Sequence, residues 1–294
     1  MITYISDSDV RHNLPMKQCI SELKEAFISY GEGKSYSNAR DRIFSGNSIL
    51  NTMPAYYEKY NIAGLKTYIA SKEGVRFVVI IFDVSNTENL YIIDANSLGQ
   101  IRTGALPAMV TSEIIKKKKI NFVLIGSGFQ AETQLLSMKE VYDFENVYVY
   151  SRNYEHAKKF SEKFDFDIIY SYNLSVLKKG DVITSITKAT DPILDNLMLP
   201  DKYHLNLVGA NILGHREASR NVLDNANIII TEHLEQSMKE SSEISDIKDK
   251  DKIIELKDFI LNPKKGDKTI FKTMGIGLED IVSGYIVLKN MNLV

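Results

Sequence analysis

The chain has one cysteine, no tryptophan and six prolines in 294 residues. A lone Cys19 cannot form an internal disulfide, and no second soft ligand accompanies it to build a zinc site, so no metal is expected and a reducing compartment is. No apolar stretch approaches the ~20 residues that span a bilayer. The opening MITYISDSDV lacks the basic head and apolar core of a signal peptide. These absences predict a cytoplasmic protein with no membrane partner. A net charge of -2 leaves no basic footprint for nucleic acid. The expected partners are a small molecule and a second copy of the chain. The one basic run, Lys116 to Lys119 in SEIIKKKKINF, closes a helical pattern, where cations suit the negative end of the helix dipole. It reads as a solvated face.

What is present is a change of pattern. Residues 14–31 place Leu14, Cys19, Ile20, Leu23, Ala26 and Phe27 on one helical face, with Gly31 and Gly33 ending it. GNSILNTMPAYY and IAGLKTYIA read as strands, and RFVVIIFDVSNTENLYIIDA as a hairpin. From RTGALPAMVTSEII, with a helix expected near Thr103, short apolar strands alternate with helices: INFVLI, NVYVYS, DIIYS, DVITSI, HLNLVGA and NIIITE. Such alternation predicts parallel βαβ units. The expected fold class is α/β, with a Rossmann-type parallel sheet over 113–265 and an α+β substrate-binding and dimerisation domain from 1–112 and 266–294. KTIFKTMGIGLEDIVSGYIVLKNM reads as a long closing helix, and 239–252 as exposed helix and loop.

The segment VLIGSGFQAE fits the dinucleotide fingerprint G-x-G-x-x-A at Gly126, Gly128 and Ala131. A strand over 120–125 precedes it, a helix is expected from Phe129, and the amides opening that helix would face pyrophosphate. The next strand ends in YSRNYEHA, with no acid before Glu155. An acid there would bond the ribose 2'-hydroxyl of NAD, whereas Arg152 offers a charged fork to the 2'-phosphate of NADP. NADP(H) is therefore expected to be preferred, with NAD(H) possible.

Three basic residues suit a carboxylate. Lys66 sits in the strand pattern AGLKTYIA, where a buried amine must find a partner. Arg102 stands in QIRTGAL at a strand-to-helix junction, with Thr103 expected to cap the helix. Arg40 follows in SNARDRIF, beside Arg42. Arginine pairs with carboxylates in a bidentate fashion.

In order and spacing, GLKTY, RTGA, GSGFQAE, LVGAN and FKTMGIGLEDI resemble the ornithine cyclodeaminase and mu-crystallin family across nearly the whole chain. Gln130 of G-x-G-x-Q-A carries more of that resemblance than the glycines do. The resemblance implies a dimer in which Arg40, Lys66 and Arg102 hold the carboxylate of a small amino or imino acid. Lys66 and Arg102 would be the catalytic pair, and Thr103 would lie near the cofactor phosphates. Gly126, Gly128, Phe129, Gln130 and Ala131 would bind pyrophosphate, and Ser151, Arg152 and Asn153 the adenosine end. Thr187, Val208 and Thr273 would line the nicotinamide half, and Met274 would face the substrate.

Two departures bear on the reaction. Cyclodeaminases keep an aspartate where this chain has Asn211, and an amide cannot serve as acid or base. They also keep a glutamate for the substrate's terminal ammonium where this chain has Asn51, which loses the charge-assisted bond. The expected activity is therefore reduction of an imine, or oxidation of an amine, next to a carboxylate. A cyclodeaminase-like lyase with retained NAD and a non-catalytic NADPH-dependent binding protein are the alternatives.

Overall fold

The structure is a computed structural model describing residues 1–294. The first elements are β1 (Ile2–Ile5), α1 (Asp7–Asn13), α2 (Met16–Gly31), β2 (Tyr36–Ser37), β3 (Asp41–Ser45), β4 (Ser48–Tyr57) and β5 (Ile62–Ser71). They continue with β6 (Gly74–Asp83), β7 (Leu90–Asp94) and α3 (Asn96–Ile114). An alternating run follows: β8 (Lys119–Ile125), α4 (Ala131–Val141), β9 (Asp143–Tyr150), α5 (Tyr154–Ser161), β10 (Ile169–Ser171), β11 (Val182–Ser185) and β12 (Tyr203–Leu207). After these come α6 (Arg220–Asn225), β13 (Ile228–Thr231), α7 (Leu234–Glu240), α8 (Ser242–Ser245), β14 (Ile253–Glu255), α9 (Leu256–Leu261), β15 (Lys268–Lys272) and α10 (Gly277–Asn290). No helix is long and apolar enough to cross a membrane.

The chain divides into two compact units, Met1–Leu106 with Gly275–Val294, and Pro107–Met274. In the first, the sheet runs β1-β7-β6-β5-β4-β2, with β3 also paired to β4. All pairs are antiparallel except β1 with β7. One row across it reads Met53, Lys66, Val79, Ile93 and Ile5. On that face α10 lies close. A Cβ on Gly284 would stand 2.7 Å from Ile81 Cδ1 and 2.9 Å from Ile93 Cδ1. Ile81 and Ile93 are fully buried there, each stabilising the unit by about 1.5–3 kcal/mol through leaving water. The alternate row, Tyr4, Ile92, Ile80, Leu65 and Pro54, faces the other way. Ile2, Tyr4, Leu50, Ile69 and Phe82 on that side are exposed.

The second unit is an all-parallel sheet in the order β10-β9-β8-β11-β12-β15-β13-β14. Its central strands are short apolar runs because helices cover both faces of a parallel sheet. Val123, Ile125, Ile183, Leu205, Leu207, Ile229 and Ile270 form part of one buried cluster.

Five expectations need correction. Residues 268–272 are not helical: β15 pairs with β12 and β13 inside the parallel sheet, and the helix starts only at Gly277. For that reason the second division falls at 274/275 rather than 265/266, and the first falls within α3 at 106/107 rather than 112/113. Helix α3 begins at Asn96, directly after the hairpin, so Arg102 and Thr103 lie inside it and Thr103 is not at its N-terminus. The helix after the glycine loop begins at Ala131, not Phe129. Lastly, Glu240, Ser241, Ser242, Glu243, Ile244 and Ile247 are buried, so 240–244 is interior, while 248–251 is exposed.

Candidate active site

In the first unit, alternation along β5 turns Lys66 to the face covered by α10. Its Nζ donates to Asp280 Oδ1 at 2.9 Å and lies 5.1 Å from the Phe77 ring centroid. Arg102 reaches the same acids from α3. Its Nε donates to Asp280 Oδ1 at 2.9 Å and its Nη1 to Glu279 Oε2 at 2.8 Å. Glu279 also fixes the start of its own helix, since its Oε1 accepts from Ile276 N at 3.0 Å. Arg40 joins through Gly275. Its Nη2 donates to Gly275 O at 3.3 Å, and a Cβ on Gly275 would stand 2.7 Å from Arg102 Nη1. Arg40, Lys66 and Arg102 are thus brought together.

Burial and the Arg102 charge lower the Lys66 pKa to about 8, with Asp280 opposing. Asp280 Oδ2 is buried without a hydrogen-bond partner. Buried Lys66 and Arg102 with half-buried Arg40 set three cations against two buried carboxylates, a place suited to one further anion. Asn51 lies two positions from Met53 on the same strand face. Its Oδ1 accepts from Arg42 Nε at 3.2 Å and its Nδ2 donates to Ile49 O at 3.2 Å. Position 51 therefore presents no carboxylate to an ammonium.

In the second unit the strand-loop-helix geometry fits a dinucleotide pyrophosphate. Gly126 has φ 112°, and a Cβ there would stand 2.4 Å from Ile186 O. A Cβ on Gly128 would meet nothing within 4 Å, so the loop is open at that point. The N-terminus of α4 has no side-chain cap, and Gln130 Oε1 is buried without a partner. Uncapped amides at a helix start favour an anion. Gly126 N donates to Tyr150 O at 2.8 Å, tying the loop to the end of β9. There Arg152 is exposed, and Asn153 Oδ1 accepts from Glu155 N at 3.0 Å, capping α5.

The strand ends beyond β8 are fixed by buried carboxylates. Glu217 Oε1 accepts from Thr187 N at 2.7 Å, Thr187 Oγ1 at 2.8 Å and Ser185 Oγ at 2.6 Å, while Oε2 accepts from Gly209 N at 2.7 Å. Burial pushes the Glu217 carboxyl up and Lys272 counters it, and every partner is a donor, which favours the ionised form. Lys272 Nζ donates to Gly209 O, to Asn211 Oδ1 at 2.9 Å and pairs with Glu243 Oε2 at 3.1 Å. Glu232 accepts from Thr273 Oγ1 and from Met274 N. Val208 N bonds Ser185 O at 2.8 Å. Ala210 adopts φ 55°, a left-handed conformation that favours glycine. Thr187, Val208, Asn211, Thr273 and Met274 are thereby held at the ends of β11, β12 and β15.

The chain belongs to the ornithine cyclodeaminase/mu-crystallin family. The sequence pattern that defines the family matches residues 3–292. The ketimine reductase mu-crystallin of Mus musculus is 27% identical over 257 residues, covering 86% of this chain and 77% of the relative. A Delta(1)-pyrroline-2-carboxylate reductase of Bacillus cereus is 26% identical over 304 residues, covering 95% and 93%. The Thermococcus litoralis Delta(1)-pyrroline-2-carboxylate reductase, solved with NADH and L-proline, superposes with a TM-score of 0.91 at 24% identity, covering 99% and 98%. That likeness establishes the fold, a Rossmann-type parallel sheet with an α+β partner unit.

The residues that sequence reasoning missed are the acids. Glu279 and Asp280 were visible only as adjacent carboxylates opening an amphipathic helix. Glu217, Glu232 and Glu243 carry no periodic signal. Lys272 did carry one: like Lys66, it is a lysine inside an apolar strand run.

Proposed function

We propose that the chain is a nicotinamide-dinucleotide-dependent oxidoreductase that reduces an imine, or oxidises an amine, at the carbon bearing a carboxylate. The observation that carries this is the buried convergence of Lys66 and Arg102 on Asp280 and Glu279, with half-buried Arg40 beside them making the cluster net cationic. Such a cluster suits a carboxylate, and Arg40 adds a third donor. A dinucleotide held at the Gly126–Ala131 loop would supply the hydride for the imine carbon. The nitrogen takes a proton, so C=N becomes CH–NH. Lys66, with its pKa lowered to about 8, is the group in the cluster best matched to give that proton or to hold the carboxylate. The protein's work is orientation.

The open Gly128 and the uncapped start of α4 support pyrophosphate binding in the second unit, with Glu217 and Glu232 presenting Thr187, Gly209 and Thr273 in fixed positions. Arg152, exposed at the end of β9, supports a preference for NADP(H). Asn211 accepts from Lys272 and offers no acid, which disfavours a cyclodeaminase route. The exposed apolar row of the first unit suits a second copy of the chain. Size measurement of wild type against Phe82→Glu in solution tests that dimer.

The deciding assay follows loss of reduced-nicotinamide absorbance with cyclic imino acids and with 2-oxo acids plus amines. Turnover with a carboxylated imine, lost in Lys66→Met, is the expected result. Tight NADPH binding without turnover across that panel would overturn the catalytic reading.

A further inference from the structure

The strand order sets the end of β9 between two neighbours. On one side lies the glycine loop, tied to Tyr150 O through Gly126 N. On the other is β10, whose Ser171 is in register with Tyr150. Tyr172 therefore leaves the sheet level with Ser151, the residue before Arg152. It is 75% exposed, yet its ring is held: it stacks on Tyr154 with centroids 3.8 Å apart and planes 10° from parallel. Tyr154 in turn meets Tyr170 at 5.1 Å. Tyr154 is the first residue of α5, whose start Asn153 caps. One face of Tyr172 is thus backed by a fixed ring and the other is open to solvent. Ligands of open α/β sheets bind at this carboxyl edge of the strands.

We propose that the open face of Tyr172 is the stacking surface for the adenine ring of the dinucleotide, with Tyr154 as its rigid backing. This rests on the reading that the chain binds a nicotinamide dinucleotide. Parallel offset stacking is a favoured aromatic geometry, and it reads the base without reading the ribose substituent. The tyrosine pair and Arg152 therefore divide the work. The ring holds adenosine of either cofactor, and the guanidinium discriminates at the 2'-position.

Calorimetric titration of the full chain with NADPH, NADH, ADP-ribose and nicotinamide mononucleotide tests the assignment. Tyr172→Ala is expected to weaken NADPH, NADH and ADP-ribose by a common factor of about tenfold. Nicotinamide mononucleotide binding should not move, and Tyr172→Phe should bind as wild type does. An unchanged melting temperature in each variant shows that the exposed position has not disturbed the fold. Wild-type affinities in Tyr172→Ala would overturn the assignment. So would an equal loss in Tyr172→Phe, which points to the hydroxyl, or a loss confined to NADPH. Failure of the wild-type chain to bind either dinucleotide would overturn the functional reading and this assignment together.

Discussion

Lys66 and Asp280 lie 214 positions apart in the chain and meet at 2.9 Å with both side chains out of solvent. Asp280 is also the anion for Arg102 Nε. Replacing it by Asn should leave two buried cations short of a partner, at a cost of about 3–5 kcal/mol. Urea unfolding of Asp280→Asn against wild type measures this. A loss below about 1 kcal/mol would show that the pair behaves like a surface ion pair.

Lys66 sets a pH limit. With its pKa at about 8, the ammonium is present below that pH and lost above it, so kcat/KM for imine reduction should fall as pH rises through about 8. Asp280 is the group that raises this pKa, so Asp280→Asn should shift the falling limb to lower pH. The linked stability effect has the opposite slope. The folded pKa lies below the reference 10.5, and the folded protein binds fewer protons between about 8 and that value. This residue's contribution therefore makes the fold more stable as pH rises through the window. A pH–rate profile without the limb in wild type would remove Lys66 from the chemistry.

The two loop glycines should separate folding from binding. Gly126→Ala places a methyl against Ile186 O at a φ of 112°, so it should cost about 1–3 kcal/mol in stability. Gly128→Ala meets no protein atom and should melt like wild type, yet bind dinucleotide at least about tenfold more weakly, because backbone approach to pyrophosphate needs that space. Thermal melts paired with titrations distinguish the two.

Arg152→Ala should weaken NADPH by about 10- to 100-fold, the range for a charge-assisted bond, while moving NADH little. Equal losses for both cofactors would place Arg152 outside the 2'-position.

The parallel unit was legible because its strands are buried on both faces and read as separate apolar runs with turn signals between them. Residues 268–272 escaped because a five-residue strand running within a few residues into a helix reads as one apolar pattern, and the break at Gly275 and Gly277 in KTIFKTMGIGLEDI is its only local signal. Arg102 is legible as a carboxylate partner but reads as standing at a helix start, since Gly99 masks the cap-type Asn96 and Ser97 at the true beginning. The countercharges were the least legible. A buried Glu217 or Asp280 is specified by donors contributed from distant segments, and no local pattern records those.

The first unit is assembled from two separated stretches, with Glu279 and Asp280 supplied by residues 275–294. During synthesis Lys66 and Arg102 are made early, long before their shared anion exists. The sheet of residues 36–94 can pair its hairpins as it emerges, but the cluster of Lys66 and Arg102 with Glu279 and Asp280 is complete only when the final helix docks. Nascent chains halted before residue 277 should therefore carry buried-to-be cations still in water, and competence to hold a carboxylate is a property acquired last.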